Sequence, residues 1–326
     1  MHTVLSLISL LLVVGNTLVL RYTLKHAQSW LQRQWLQLSI LLLPFLLLAI
    51  GVSGLHHILG AWCMLPTWDV LLGIDLPLLV AGVGCAAMGR RAIHLLRIRK
   101  QATQVGSPAP PVLQQYLHRL AKQRGIACPR LLLCMLSFPV ALTYGVTRPV
   151  ILLSTWMIEY LDPQEIEGVL AHELEHVVRH DYLILFLATL LRDAFFFLPW
   201  QKTMYWQMHQ EKELACDEGA AFTTRRPLAL ASALLKVNLY ALEQASQGKC
   251  LETLPSFADE QTIIEQRIAR LRHWKKQLGA QDGLAQAFQE RHLNLRWRVS
   301  FVIFFALLGT SLCVLVFYSV QCALML

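Results

Sequence analysis

The stretch LDPQEIEGVLAHELEHVVRHDY, residues 161–182, carries the signals of a helix with two histidines on one face. Asp162 is a natural N-cap, Pro163 suits the first helical position, and Glu165 completes a start that resembles a capping box. We therefore predict a helix that begins near Pro163 and runs through Arg179. Its apolar stripe consists of Ile166, Val169, Leu170 and Val177.

Within this helix, the segment HELEH places the imidazoles of His172 and His176 one turn apart on the same face. Two imidazoles in this arrangement can bind a single Zn²⁺ ion. Glu173 can reach a zinc-bound water, whose pKa zinc lowers towards neutrality, and would accept its proton during attack on a peptide carbonyl. The pattern is short and recurs by chance, so the alternative is an ordinary helix with solvated His and Glu side chains.

A third metal ligand is available in the later segment ELACD, residues 213–217. Glu213 and Asp217 again lie one turn apart on one helix face. Glu213 can complete a site of two histidines and one carboxylate, with water in the fourth position. Asp217 can accept a hydrogen bond from a ligand imidazole and fix its tautomer.

These motifs, taken together, resemble the BlaR1/MecR1-type membrane metallopeptidases of peptidase family M56. The matching elements lie within residues 110–275 and are HELEH, EKELACDE, Phe138-Pro139, Gly145, Pro149-Val150-Ile151, Arg179 with Asp181, Phe197-Leu198-Pro199-Trp200, and Arg267-Ile268 with Leu271. The resemblance implies a gluzincin-like α+β fold and a zinc cofactor. It further implies His172, His176 and Glu213 as metal ligands and Glu173 as the catalytic base.

The resemblance breaks at the C-terminal end of the sequence. Sensor members of the family carry a large extracytoplasmic ligand-binding domain after the last membrane span, and this sequence has six residues after Val320. We therefore expect the peptidase module without β-lactam sensing.

Two other functions compete with a signalling endopeptidase. An HtpX/Ste24-like quality-control protease shares the motifs but places two membrane spans between them, whereas Glu213 follows His176 by only 37 residues. A non-proteolytic signalling or scaffold protein with a structural or vestigial zinc site is the alternative from another class.

The composition favours a membrane protein, because 55% of the residues are hydrophobic and 15% charged, against about 25% charged in soluble proteins. The mean hydropathy is +0.46. Four stretches are apolar enough for membrane helices: Val4–Leu20, Trp35–Leu55, Trp68–Met88 and Val299–Val320. The fold predicted is a mainly α membrane protein of four spans, with an α+β peptidase domain between spans three and four.

The net charge of +8 comes from Lys and Arg that follow spans one and three and precede span four. Because Lys and Arg mark cytoplasmic loops, we expect both termini outside and the peptidase domain in the cytoplasm of a bacterial inner membrane. These basic clusters suit anionic lipid rather than DNA or RNA, for which no recognition motif is present.

The predicted domains are a three-helix transmembrane region with its basic flank over residues 1–100, a linker over 101–111, the peptidase domain over 112–296, and the fourth span with a short tail over 297–326. The expected substrate is a protein, either a cytoplasmic repressor, another membrane protein or the chain itself. A sensor partner and a homo-oligomer both stay open.

The apolar stretch Tyr182–Leu198 lies between the two metal motifs. A single membrane crossing there would separate Glu213 from the two histidines, so we expect a buried or interfacial helix that turns back near Pro199. Four side chains near the motifs are candidates for stabilising an oxyanion: Arg179, His180, Tyr205 and His209.

Overall fold

A computed structural model describes residues 106–145, 147–194, 196, 199–246 and 257–278, with short stretches and single residues between 33 and 97. Two compact units make up the chain. One comprises residues 93–187 and 209–285, and the other comprises residues 1–92, 188–208 and 286–326. The first unit contains the sheet and the metal motifs.

The sheet has four strands, which are β1 (Ser107–Pro108), β2 (Arg130–Cys134), β3 (Ala141–Tyr144) and β4 (Val150–Ser154). Their order is β1-β2-β4-β3, with β2 and β4 parallel and the outer pairs antiparallel. All five residues of β4 are buried, as expected for a central strand covered on both faces. The β3 strand lies at the edge of this sheet.

The sequence predicts two strands, over 138–144 and 149–154, on either side of a turn at Gly145–Arg148. Both strands are present, and β3 is shorter than its predicted segment. The two strands pair with Tyr144 opposite Val150. Gly145 adopts φ +96, and a Cβ there would lie 2.8 Å from the carbonyl oxygen of Arg148. The turn therefore requires glycine at this position.

Seven helices are described outside the N-terminal stretches. They are α1 (Pro111–Arg124), α2 (Thr155–Tyr160), α3 (Pro163–Val178), α4 (Asp181–Ala194), α5 (Pro199–Thr224), α6 (Pro227–Ser246) and α7 (Phe257–Leu278). Residues 112–126 have Leu113, Leu117 and Leu120 at the spacing of one helix face, which predicts an amphipathic helix. This helix is α1, which buries the three leucines and is capped by Gly125 in the left-handed conformation.

The predicted metal-motif helix is α3, and its start follows the sequence signals. The backbone N–H of Asp162 donates to the Glu165 carboxylate at 2.9 Å. Gly168 lets α6 approach closely, because a Cβ there would lie 3.3 Å from the backbone nitrogen of Leu230. The helix ends at Val178, and His180 takes the left-handed conformation with φ 54 before α4 begins.

The main core lies between one face of the sheet and the helices. Leu131, Leu133, Ile151 and Leu153 point into it, where they join buried side chains of the helices, including Leu117, Leu170, Leu174 and Leu271. A smaller cluster covers the opposite sheet face through Leu132, Cys134, Tyr144, Val150 and Leu152. The packing holds α3 against the sheet, which fixes the direction of its histidines.

Among the described residues, no helix has the length and apolarity needed to cross a membrane. The first and fourth predicted spans lie outside the described residues, and only short pieces of the second and third lie within them. In the stretch 182–198, α4 ends at Ala194, and α5 begins at Pro199, where the sequence places a turn. The four spans and the domain boundaries stay predictions.

Candidate metal centre

Three predicted metal ligands meet in the structure, two from α3 and one from α5. His172 Nε2 lies 3.4 Å from Glu213 Oε2, and His176 Nε2 lies 3.6 Å from Glu213 Oε1. One ligand atom from each residue falls within 4.8 Å of the others. In a tetrahedral zinc site with bonds of about 2.0–2.1 Å, ligand atoms are about 3.4 Å apart. The donor set and its spacing therefore fit one zinc ion.

The other nitrogen of each imidazole faces a carboxylate. His172 Nδ1 lies 2.9 Å from Asp217 Oδ1, and His176 Nδ1 lies 3.0 Å from Asp181 Oδ2. Carboxylates in these positions hold Nδ1 protonated and orient Nε2 towards a metal. The structure thus places Asp217 in the position that the sequence suggested for it. Sequence analysis assigned no such contact to Asp181.

Asp181 lies five residues after His176 in the chain, but this spacing does not by itself predict a contact between them. The left-handed conformation of His180 reverses the backbone directly after α3. This reversal returns Asp181 to the histidine it follows. The contact depends on a backbone conformation that non-glycine residues adopt rarely, and the sequence pattern alone does not reveal it.

Both carboxylates are bound in turn by cations. Lys212 Nζ donates to Asp181 Oδ1 at 2.5 Å, and both side chains are buried. Arg267 donates to Asp217 from Nε at 2.7 Å and from Nη2 at 2.8 Å. Each imidazole is therefore held by a carboxylate that a cation neutralises.

These charges set the protonation of the centre. Burial lowers the pKa of His172, but Asp217 and Glu213 outweigh it and raise the pKa to about 10. Burial raises the pKa of Glu213, but Arg267 and the two histidines bring it well below its ordinary value. Burial also raises the pKa of Asp217, but Arg267 outweighs burial, and the pKa of Asp217 falls below its ordinary value. The two carboxylates are therefore ionised at neutral pH and available to cations.

The predicted catalytic base, Glu173, has a partner on the edge strand of the sheet. Thr143 Oγ1 in β3 lies 2.8 Å from Glu173 Oε2 and 3.1 Å from the Glu173 carbonyl oxygen. The Glu173 side chain is buried, so a hydroxyl donor compensates its loss of water. Thr143 is a residue that sequence analysis missed, because its contact joins positions thirty residues apart.

A second group of side chains of metal-ligating type lies on the Nδ1 side of His176. Cys216 Sγ lies 3.3 Å from His176 Nδ1 and 3.4 Å from Asp181 Oδ2. Burial raises the pKa of the Cys216 thiol well above its ordinary value, which keeps it protonated. Lys212 already occupies the Asp181 carboxylate. A protonated thiol and an adjacent ammonium both disfavour a second cation there.

The four oxyanion candidates differ in their surroundings. Arg179 is buried, and its Nε lies 3.3 Å from Asp181 Oδ2, which places it behind the His176 imidazole. His180 is exposed. The Tyr205 ring contacts the Arg192 guanidinium at 4.4 Å. Burial lowers the pKa of His209, which favours its neutral form, and its role as an oxyanion donor stays a prediction.

Comparison with known proteins agrees with these motifs. The sequence model of the family described as BlaR1 peptidase M56 matches residues 74–271, more than half of the chain.

Similar curated proteins carry the name protease HtpX homolog. One from Moorella thermoacetica is 27% identical over 174 residues, covering 42% of this chain and 58% of its own. One from Methanopyrus kandleri is 23% identical over 214 residues, covering 51% and 67%. One from Streptomyces coelicolor is 30% identical over 162 residues, covering 39% and 53%. The chain thus spans between about half and two thirds of the length of these relatives.

Proposed function

The chain belongs to the BlaR1 peptidase M56 family, and on this premise we propose that it is a zinc-dependent endopeptidase. The observation that carries the proposal is the convergence of one ligand atom each from His172, His176 and Glu213 within 4.8 Å of one another. Two imidazoles and one carboxylate are a ligand set of catalytic zinc sites, which keep the fourth position for water or substrate.

The chemistry divides between the metal and Glu173. A zinc ion held by the three ligands would supply an activated water and polarise the substrate carbonyl. Glu173 would accept a proton from the attacking water and return it to the nitrogen of the departing amine. The hydroxyl of Thr143, 2.8 Å from Glu173 Oε2, would hold the carboxylate in place between these two transfers.

The edge strand offers a place for an extended peptide. Among the described strands, β3 pairs with β4 on one side and has no strand on the other. A peptide adding to that edge would gain main-chain hydrogen bonds without needing a particular sequence. Because Thr143 in β3 contacts Glu173, a peptide bound there would lie next to the base. This placement supports cleavage within a chain rather than at a terminus.

The location and the substrate follow from the sequence. We place the peptidase domain on the cytoplasmic side of a bacterial inner membrane, between the third and fourth predicted spans. The substrate is a protein that can reach this membrane, either a cytoplasmic regulator, another membrane protein or the chain itself. Regulated proteolysis in signalling fits this placement.

An HtpX-like quality-control protease is the second candidate, because the similar curated proteins bear that name. The segment between His176 and Glu213 favours the first candidate. Its described residues form the remainder of α3, then α4 and the first part of α5, where an HtpX/Ste24-like layout has two spans.

The proposal is tested on the full chain purified in detergent, with zinc content and cleavage of fluorescently labelled β-casein as readouts. We expect about one zinc per chain, with casein cleavage lost in Glu173→Gln. The matched control is Glu167→Gln, which removes a carboxylate from the same helix that pairs with Arg119 outside the centre. Stoichiometric zinc with no cleavage by the wild type would contradict the proposal and favour a structural zinc site. Equal cleavage by the wild type and Glu173→Gln would contradict the role of Glu173 as the base.

A further inference from the structure

Helix α7 contributes one side chain to the metal centre, the guanidinium of Arg267. Its Nε and Nη2 bind the two oxygens of Asp217, at 2.7 and 2.8 Å. Its third nitrogen, Nη1, lies 3.1 Å from Glu213 Oε2. A single guanidinium therefore contacts both a metal ligand and the carboxylate that holds another ligand.

The two carboxylates need such a partner. Glu213 and Asp217 lie one turn apart on α5, where like charges repel. Glu213 Oε2 also lies 3.4 Å from His172 Nε2, and Asp217 Oδ1 lies 2.9 Å from His172 Nδ1. Any rotation of either carboxylate would therefore move a group that directly contacts the His172 imidazole.

The planar fork of arginine fixes direction as well as charge. Two parallel N–H bonds set the plane of the Asp217 carboxylate, and the third nitrogen restricts Glu213. A lysine ammonium would supply the same charge at one point without this geometry. Arg267 is mostly buried, with 12% of its side chain exposed, so water cannot replace these bonds efficiently.

We propose that Arg267 is a positioning residue of the metal centre, which sets the metal affinity by orienting Glu213 and Asp217 together. The inference rests on the proposed zinc site. It assigns a role to a residue that is not one of the three proposed ligands but contacts the carboxylates of Glu213 and Asp217. It also makes α7, which lies more than forty residues after Glu213 in the chain, part of the metal centre.

The same helix supplies a matched control. Arg270 lies three residues further along α7 and binds a carboxylate of the same α5 helix, with Nε 2.6 Å from Glu218 Oε1. Half of its side chain is exposed, and its partner Glu218 is neither a proposed metal ligand nor one of the carboxylates, Asp181 and Asp217, that face the imidazoles. Arg267→Lys and Arg270→Lys are therefore the same substitution on the same pair of helices, inside and outside the centre.

The test measures zinc affinity of the full chain in detergent by competition with a chromophoric chelator. We expect Arg267→Lys to bind zinc about 10- to 100-fold more weakly, the usual effect of altering a group that orients a ligand. Arg270→Lys should stay within about twofold of the wild type. The visible spectrum of the Co²⁺-loaded protein, taken at saturating metal, should change in Arg267→Lys and not in Arg270→Lys.

Equal zinc affinities and equal Co²⁺ spectra in wild type and Arg267→Lys would overturn the proposal. If Arg267→Lys does not fold, Asp217→Asn alone is compared with Asp217→Asn/Arg267→Met, which removes both charges of the Asp217–Arg267 pair together. The double variant should bind zinc more weakly than Asp217→Asn, because Glu213 has lost its guanidinium, and equal affinities would overturn the proposal. Zinc binding without casein cleavage would refute the peptidase and leave this comparison of affinities decisive for Arg267.

Discussion

Replacing Lys212 with methionine tests the buried charge network behind the metal centre. Lys212 and Asp181 are 0% and 1% exposed, and Lys212 Nζ lies 2.5 Å from Asp181 Oδ1. Methionine has a similar length and shape but no charge, so Lys212→Met leaves the Asp181 carboxylate buried without its closest partner. Burial already lowers the pKa of Lys212 against the pull of Asp181, which shows how strongly this position is desolvated.

The expected loss is large for a single substitution. Removing one member of a buried ion pair costs about 3–5 kcal/mol, because the remaining charge is uncompensated. Arg179 Nε, at 3.3 Å from Asp181, retains part of the compensation, so we expect the lower end, about 3 kcal/mol. For a domain of this size, that corresponds to a fall in Tm of about 6–12 °C.

The assay is thermal unfolding of the full chain in detergent, followed by tryptophan fluorescence in the presence of a chelator. Lys236→Met is the matched control, because Lys236 binds Glu165 at 2.8 Å but is about one third exposed. Its Tm should fall far less than that of Lys212→Met. Adding Asp181→Asn to Lys212→Met should recover part of the Tm. A Tm for Lys212→Met within about 2 °C of the wild type would refute the reasoning.

Three further predictions concern single contacts. Thr143→Val should lower kcat on labelled casein by about tenfold with KM unchanged, because Glu173 loses its hydroxyl donor. Thr143→Ser should retain the wild-type kcat, and an unchanged kcat in Thr143→Val would contradict this prediction. Gly219→Ala should lower the Tm and reduce the free energy of unfolding by about 1–3 kcal/mol, since a Cβ there would lie 2.5 Å from the Glu175 side chain. A higher Tm, which helix propensity alone would give, would contradict this prediction. His180→Val should lower the free energy of thermal unfolding by about 1–2 kcal/mol and His180→Gly should not, because residue 180 has φ 54, in the left-handed region that glycine adopts readily. Equal Tm values for the two variants would contradict this prediction.

The convergence of the three proposed ligands could be predicted from the sequence because their signals are local. The start of α3 depends on Asp162 and Glu165 within one turn, and the spacing of His172 and His176 has meaning only on a helix. Glu213 and Asp217 form the same kind of pair on α5. The family resemblance predicts that His172, His176 and Glu213 bind one metal ion. Since they lie on two predicted helices, these helices were expected to meet.

Apart from Asp217, the partners of these residues could not be predicted in the same way. Thr143 reaches Glu173 only because β3 packs beside α3, which no local pattern specifies. Lysine is rarely fully buried, so nothing in the sequence marks Lys212 as an interior residue. Arg267 belongs to a motif that the sequence shows, but the motif alone does not predict its proposed role. That role depends on the position of α7 beside α5.

Strand assignments show the limits of short apolar runs. The strand β2 contains three consecutive leucines, a pattern that does not separate a buried strand from a helix, and it was not predicted. The β3 strand begins at Ala141 rather than Phe138. Pro139 lacks a backbone N–H and cannot donate to a ladder, which accounts for the later start.

We propose above that one zinc ion is bound by His172, His176 and Glu213. X-ray absorption at the zinc edge of the purified full chain observes these bonds themselves. We expect about one zinc per chain in a shell of nitrogen and oxygen ligands at about 2.0–2.1 Å, with an imidazole signature. A sulfur ligand at about 2.3 Å would contradict it, because zinc would then be bound by Cys216 instead of Glu213.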